Sequence, residues 1–494
     1  MTREDETRAE MTSYWTTHST ETTLESMMLD TNAEQLHEFE VPEILSKAPD
    51  MKDKDVLELA AGIGRFTGYI AAQAKSVIAV EFMETFHQAN LSKHNHYRNI
   101  QFLCRDVVQL QLPENSLDVI FSNWLFMYLS DDEVRAFASK AIRWLRPGGT
   151  LFFRESCFRQ SGNVKRNANP TQYRHPSFYV KAFGSVFSTE SNNTKIGHFY
   201  LKRSCSVSAY RTIKQNNGQV CFYYSKVMKA AGNNAMHTFQ TFLDEQQYSI
   251  QSIKRYEKIF GKGYVSTGGQ GTTTEFVERL QLKPQERVLD VGCGIGGGDF
   301  YMAREYGVSV LGIDLSTNMV HRALEQSMNE TKLDVEFEIC DATTREFPDQ
   351  SFDVIYSRDT ILHIQDKKTL FERFFRWLRP GGRVLITDYC RGGKRPTNRF
   401  ADYVQGRGYH LLTVDAYGAL LTEAGFCNVS AEDRTSQFMS ILREELDRTV
   451  SSKDEFIQDT SKDDFNAIVK GWEAKLIRCE EGDQKWGFFY AEKQ

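Results

Sequence analysis

The stretch VLELAAGIGRFT, Val56 to Thr67, returns about half a chain later as VLDVGCGIGGGD, Val288 to Asp299. LPENSLDVIFSNWL (Leu112 to Leu125) returns as FPDQSFDVIYSRDT (Phe347 to Thr360), and RWLRPGGTLFFRESC (Arg143 to Cys157) as RWLRPGGRVLITDYC (Arg376 to Cys390). Three blocks in nearly constant register mark a duplicated whole domain, because solenoid repeats are only about 20–50 residues long. In each copy a short apolar strand runs into a glycine turn, the usual entry to a helix in nucleotide-type sheets.

Working outward, RVLDVGC, VSVLGIDL, VEFEICDA, FDVIYSR and RVLITDYC read as five strands of the second copy. DVLELAA, SVIAVEF, IQFLCRDV, LDVIFSN and TLFFRES stand at matching places in the first. Strands alternating with helical stretches predict a parallel sheet covered on both faces. Each copy then ends in segments that alternate like a hairpin: HFYLKRSCSVSAYR with QVCFYYSKV through Asn216–Gly218, and CNVSAEDR with QKWGFFYAEK. The expected fold is α/β: two tandem Rossmann-like domains of the class I methyltransferase layout, each a mostly parallel sheet with an antiparallel C-terminal hairpin. The polar stretch KAAGNNAMH, Lys229 to His237, is the expected boundary, giving domains 1–230 and 231–494. RWLRPGG is expected to be architectural.

The 494 residues suit two cores. A formal charge of −6 argues against a polyanion binder but allows a small phosphorylated ligand, which needs only a few placed donors. The acidic start MTREDETRAEMTSYW lacks the apolar core of a secretory signal, and no apolar run reaches membrane-spanning length. Nine cysteines without a CxxC pair suggest reduced thiols. The expectation is a cytoplasmic, monomeric protein without a metal, nucleic acid or membrane insertion.

A glycine turn alone proves little, since sheets of several kinds share it. The acids that follow discriminate. Asp290, Asp314 and Asp341 follow successive strands of the second copy, and Glu58, Glu81 and Asp106 those of the first. The acid ending strand two can accept both ribose hydroxyls. The third, beside Ala342 or Val107, suits the adenine amino group. The first sits against the glycines Gly62 and Gly64, or Gly292 and Gly294, where a pyrophosphate would be repelled and a cationic amino-acid tail welcomed. That sign of charge favours S-adenosyl-L-methionine over a dinucleotide.

YSRDTILHI (Tyr356 to Ile364), QQYSIQSIKRYEKIFGKGYVSTGG (Gln246 to Gly269), TDYC, YVQGRGY (Tyr403 to Tyr409) and a late GW…K closely resemble phosphoethanolamine N-methyltransferases. From YWTTHS and MMLD to WGFFYAEK the chain is similar to their plant-like two-domain form. The resemblance implies Gln247, Tyr248 and Tyr256 at a substrate lid and Asp359 near the amine. It implies Tyr389, Tyr403, Arg407, Tyr409 and Lys475 on the phosphate, a closing pair of Tyr248 and His363, and Ser266, Gly292, Asp314, Leu315, Asp341, Ala342 and Arg358 at the cofactor. The implied activity is three N-methylations from phosphoethanolamine to phosphocholine, feeding phosphatidylcholine synthesis, with S-adenosylhomocysteine as by-product. The first domain would begin the series and the second complete it. The alternatives are another small-molecule methyltransferase, of glycine-type N- or sterol-type C-specificity, or a cofactor-binding protein with one regulatory domain.

The copies differ at the acceptor side. Trp124 aligns with Asp359, Tyr128 with His363 and Ser156 with Tyr389. Tyr128, Tyr173, Arg174 and Tyr179 are the first copy's own acceptor candidates, with Tyr14 and Trp15 for a lid. Its cofactor acids are all retained, which favours an active first domain.

Overall fold

The computed structural model describes residues 3–164, 169–189, 194–231 and 238–494. It divides into two units, Met1–Thr238 and Phe239–Gln494. Lys229 and Ala230, expected in the boundary, instead end a strand, and 232–237 lie outside the described residues.

In the first unit the strands are β1 (Asp55–Leu59), β2 (Ser76–Glu81), β3 (Ile100–Cys104), β4 (Leu117–Asn123), β5 (Leu145–Ser156), β6 (Phe187–Thr189), β7 (Lys195–Ser206) and β8 (Gln219–Ala230). The sheet order is β7-β8-β5-β4-β1-β2-β3, with β6 on β7. Strands β1 to β5 are parallel and β8 runs antiparallel to both β5 and β7. The second unit repeats this with β9 (Arg287–Val291), β10 (Ser309–Asp314), β11 (Val335–Cys340), β12 (Phe352–Arg358), β13 (Leu378–Arg391), β14 (Cys427–Asp433) and β15 (Gln484–Glu492), in the order β14-β15-β13-β12-β9-β10-β11. All ten predicted parallel strands are present.

Central strands buried on both faces read as apolar runs, as β1 and β9 do. The reversal of strand order between β1 and β4, and between β9 and β12, opens a crevice at the strands' carboxyl ends, where ligands of such sheets bind. Beside the second crevice the core is aromatic: Tyr417 and Phe489 stack with centroids 4.1 Å apart, and Trp377, Phe371 and Phe374 are fully buried.

One expectation needs correction. SVSAYR does not extend β7 into a hairpin; Ser208–Lys214 forms a helix between β7 and β8. Its first amide groups, Ser208 N and Ala209 N, donate to the Glu43 carboxylate at 2.6 and 2.9 Å. That carboxylate, from the helix Ala33–Lys47, supplies the anionic N-terminal partner a helix needs.

Phe489→Ala should cost the second domain about 3–5 kcal/mol, the scale for a buried Phe truncation. Denaturant unfolding of the full chain should show that domain's transition moving to lower denaturant with the other unmoved.

Candidate active site

At the end of β9 the chain must turn under whatever sits in the crevice. Gly292, Gly294 and Gly296 take φ of 85°, 56° and 86°, a region that penalises a Cβ. A methyl group at Gly292 would also run into the Thr360 side chain. Gly294 N donates to Asp314 Oδ2 (3.0 Å) and Ser316 N to Oδ1 (2.8 Å), so the acid ending β10 is locked to the glycine turn. Burial pushes the Asp314 carboxyl up to about 6. Beneath the turn Asp290 and Asp299 are buried side by side, and burial and mutual repulsion raise Asp290 strongly. Two such carboxyls share a proton rather than both ionise.

The first copy keeps this lock with a glutamate. Gly62 N and Met83 N each donate at 2.8 Å to Glu81, one to each oxygen. Ala60, opposite Gly292, holds φ 52° despite its Cβ. Glu58 is buried and pushed up to about 8 by that burial. Asp106 is paired with Arg8 of the helix Arg3–His18. Gly64 faces Asn90 and His94, away from the cavity.

On the acceptor side, Asp359 sits in a left-handed conformation (φ 50°), its N–H donating to Thr387 O at 2.7 Å. Such strain persists where surrounding contacts hold it. Oδ1 accepts from the Trp486 indole (2.9 Å) and Thr387 Oγ1 (3.2 Å), while Oδ2 is buried without a partner. Around it opens a cavity of about 530 Å³. Gln247, Tyr248, Tyr256, His363, Tyr389, Tyr403, Arg407, Tyr409 and Lys475 all line it, as do Ser266, Gly292, Gly294, Asp314 and Arg358. Every acceptor-side residue predicted for the second domain is thus brought together.

The predicted Tyr248–His363 pair is joined through a third group. Gln247 Nε2 donates to Tyr248 Oη (2.9 Å) and lies 3.5 Å from His363 Nε2. Gln247 ends a wide π turn, Leu243–Gln247, of a kind frequent at functional sites. Burial, then Lys367 and Arg407, press His363 down to about 4, so its imidazole is neutral at pH 7. Burial lowers Lys475 to about 8, with Glu445 opposing and Arg478 and Arg407 reinforcing. Glu445 itself is taken up by the Trp472 indole and Gly268 N, both at 2.8 Å. Arg407, Lys475 and Arg478 all reach this cavity, and their close neighbours are aromatic rings: Arg407 and Arg478 lie over Tyr403, and Lys475 over Trp472.

Some expected cofactor residues stand apart. Arg358 lines the wall, but its guanidinium donates to Thr273 Oγ1, Thr272 Oγ1 and Thr267 O. Leu315 O accepts from Gln240, Asp341 holds Thr343, and Ala342 packs on the core; none lines the cavity. Asp290 lies below the turn. Sequence reasoning missed Arg478, although Lys475 and Arg478 share a face of the helix Lys462–Glu480 by their three-residue spacing.

The first domain's cavity is smaller, about 130 Å³, and mostly aromatic on its acceptor side. Trp124 repeats Asp359's left-handed backbone (φ 61°) and its N–H donates to Arg154 O at 2.8 Å. Trp15 and Tyr128 meet edge to face at 5.1 Å, so the predicted lid tryptophan does reach the cavity. Tyr14 is buried against His18 instead. Of the other candidates, Arg174 fails as a phosphate ligand: its donors are spent on Asp131, Gln172, Phe126 O and Leu129 O. Tyr179 is fully buried, its ring packed against Phe153, Phe178 and Phe222, and lies outside this cavity. Tyr173, half-buried, accepts from Asn169 and lies outside this cavity.

The methyltransferase domain family matches residues 57–153 and again 289–386. A phosphoethanolamine N-methyltransferase of Arabidopsis thaliana is 51% identical over 491 residues, covering 99% of both chains. The chain belongs to the phosphoethanolamine N-methyltransferases. This family includes a Plasmodium falciparum member, 38% identical over 261 residues, that covers 97% of its own length and 52% of this chain. A Haemonchus contortus phosphoethanolamine N-methyltransferase, solved with phosphomonomethylethanolamine and S-adenosylhomocysteine, has a TM-score of 0.74 at 28% identity and covers 93% of this chain and 99% of its own. The fold is therefore two tandem methyltransferase domains, and the cofactor of this phosphoethanolamine N-methyltransferase is S-adenosyl-L-methionine. The glycine turns and the locked acids Asp314 and Glu81 fit it. Among the described residues no cluster of three His, Cys, Asp or Glu is placed to hold a metal, and no helix is long and apolar enough to cross a membrane.

Asp314→Ala should weaken S-adenosyl-L-methionine binding at one of the two sites by about 1.5–3 kcal/mol, the scale of a charged hydrogen bond. Calorimetry on the full chain should show that site weakened and the other unchanged.

Proposed function

We propose that this chain transfers methyl groups from S-adenosyl-L-methionine to the nitrogen of phosphoethanolamine and of its mono- and dimethyl forms, giving phosphocholine. The observation that carries this reading is the polarity of the second cavity. Asp359, one carboxylate oxygen of which has no hydrogen-bond partner, lines the same cavity as Arg407, Lys475 and Arg478, which lie against aromatic rings and form no ion pair among the described residues. An ammonium and a near-dianionic phosphate on one small molecule complement that pattern. A neutral or carboxylate substrate would leave the cations uncompensated.

The cofactor supplies an electrophilic methyl group. The chain's residues do the rest. Asp314 and the glycine turn hold the cofactor end, Arg407, Lys475 and the tyrosines grip the phosphate, and Asp359 orients the amine. The attacking nitrogen needs its lone pair, so a proton must leave it. Neutral His363, with Gln247 and Tyr248 beside it, is available to take or relay that proton throughout the neutral range, since it protonates only near pH 4. Most of the rate comes from aligning nitrogen, methyl and sulfur in a closed pocket.

We assign the first methylation to residues 1–230 and the later ones to 231–494. In support, the first domain keeps Glu58, Glu81 and Asp106 but walls its smaller cavity with Trp15, Trp124 and Tyr128, suited to the least substituted amine. The reading includes a cytoplasmic monomer acting on small phosphobases rather than nucleic acid. Nine free cysteines and the net charge of −6 support it.

Arg407→Lys should raise the Michaelis constant for phosphorylated amines about ten- to a hundredfold, because a point ammonium does not reproduce the planar fork. Free ethanolamine should be a very poor substrate of the unmodified enzyme. Steady-state kinetics with both amines checks this; equal use of the free amine would sink the phosphate grip.

A further inference from the structure

Arg478 lines the second cavity, but the functional reading gives it no contact of its own, and the structure nevertheless buries it. It is 7% exposed, on the last turn of the helix Lys462–Glu480, one turn after Lys475. Its Nε donates to Gln484 Oε1 at 2.8 Å, and Gln484, itself buried, opens β15. The guanidinium carbon lies 3.9 Å from the centre of the Tyr403 ring, much closer than that of Arg407, at 6.0 Å. Among the described residues no carboxylate lies within 4.0 Å of the guanidinium. A buried guanidinium without an ion-pair partner is costly unless an anion completes the site.

We propose that Arg478 is a positioning residue of the phosphate grip: fixed by Gln484, it holds the Tyr403 ring by stacking and adds a third positive charge behind Arg407 and Lys475. The proposal rests on the phosphobase reading above and deepens it. Two consequences separate it from a packing role. Planarity matters, because an ammonium does not stack on Tyr403 as a guanidinium does. Charge matters as well, because Arg478 faces Lys475. The other groups that face Lys475 are Glu445, Asp359 and Arg407, together with the Trp472 and Tyr389 rings. Lys475 grips phosphate only when protonated, so affinity falls as pH rises through its pKa. Burial, Arg478 and Arg407 place that pKa near 8, and removal of the Arg478 charge moves it upward.

The test uses the full chain with the first site silenced by Glu81→Ala, and compares Arg478, Arg478→Lys and Arg478→Gln on phosphomonomethylethanolamine across pH. Both variants are expected to raise the Michaelis constant about three- to thirtyfold, the range of a desolvated cation–π contact, with turnover much less affected. In Arg478→Gln the alkaline limb of kcat/KM should move to higher pH, and in Arg478→Lys it should stay. The substrate's own titration is common to all three and cancels. Unchanged Michaelis constants in both variants would overturn the proposal, as would an unmoved limb in Arg478→Gln. If Arg478→Gln fails to fold, as judged by thermal unfolding, the Michaelis constant of Arg478→Lys decides. A parent enzyme that methylates free amines as readily as phosphorylated ones would sink the phosphobase reading itself and is distinguishable from either result.

Discussion

The second site depends on one hydrogen bond, from the buried indole of Trp486 to Oδ1 of Asp359. It satisfies one carboxylate oxygen, while the other is buried in the cavity wall without a hydrogen-bond partner. The first copy contains the same bond with its partners exchanged. Trp124 stands where Asp359 does, and its indole donates at 2.8 Å to Gln219, the β8 residue at Trp486's place beside β5. An indole N–H meets a side-chain oxygen in both, across the same strand ends. In one copy the oxygen belongs to the position proposed to meet the substrate's amine; in the other the indole stands there.

What surrounds the exchanged pair differs accordingly. Trp124 lies 3.6 Å beneath the guanidinium of Arg154, which is fully buried and shares Glu40 with Arg65. Burial alone would raise the Glu40 carboxyl, but Arg154 and Arg65 hold it below the ordinary range. A depressed carboxylate contributes stability that is present above its unfolded pKa and lost as pH falls through its folded one. The first acceptor wall thus carries a cation–aromatic stack, whereas the second is a cavity ringed by tyrosines and cations. The shared cofactor floor and the divergent walls fit a division of labour between successive substrates.

Much of this was legible in the chain. The repeated VLE/VLD turn and the acids after each strand could be read because each stands in a local pattern with a physical reason, whereas the acceptor residues from Gln247 to Lys475 were legible only through the resemblance to phosphoethanolamine N-methyltransferases. What escaped reading depends on partners distant in sequence. Ser208–Lys214 is a helix because Glu43 caps it, and Gln247 joins Tyr248 to His363 only once the π turn aims its amide. Arg174 and Tyr179 carry the right chemistry for phosphate, yet the fold spends one on backbone carbonyls and the other on an aromatic core. Residue type told what each could do, and burial decided whether it was free to do it.

The account stands or falls on the charge at Asp359. Asp359→Asn keeps the shape and an oxygen for the Trp486 indole but removes the charge proposed to orient the amine. The decisive measurement is product analysis by mass spectrometry after the full-length variant is supplied with phosphoethanolamine and S-adenosyl-L-methionine. The account predicts that phosphomonomethylethanolamine accumulates while phosphocholine formation falls at least about a hundredfold. Phosphocholine appearing at the unmodified rate would contradict it.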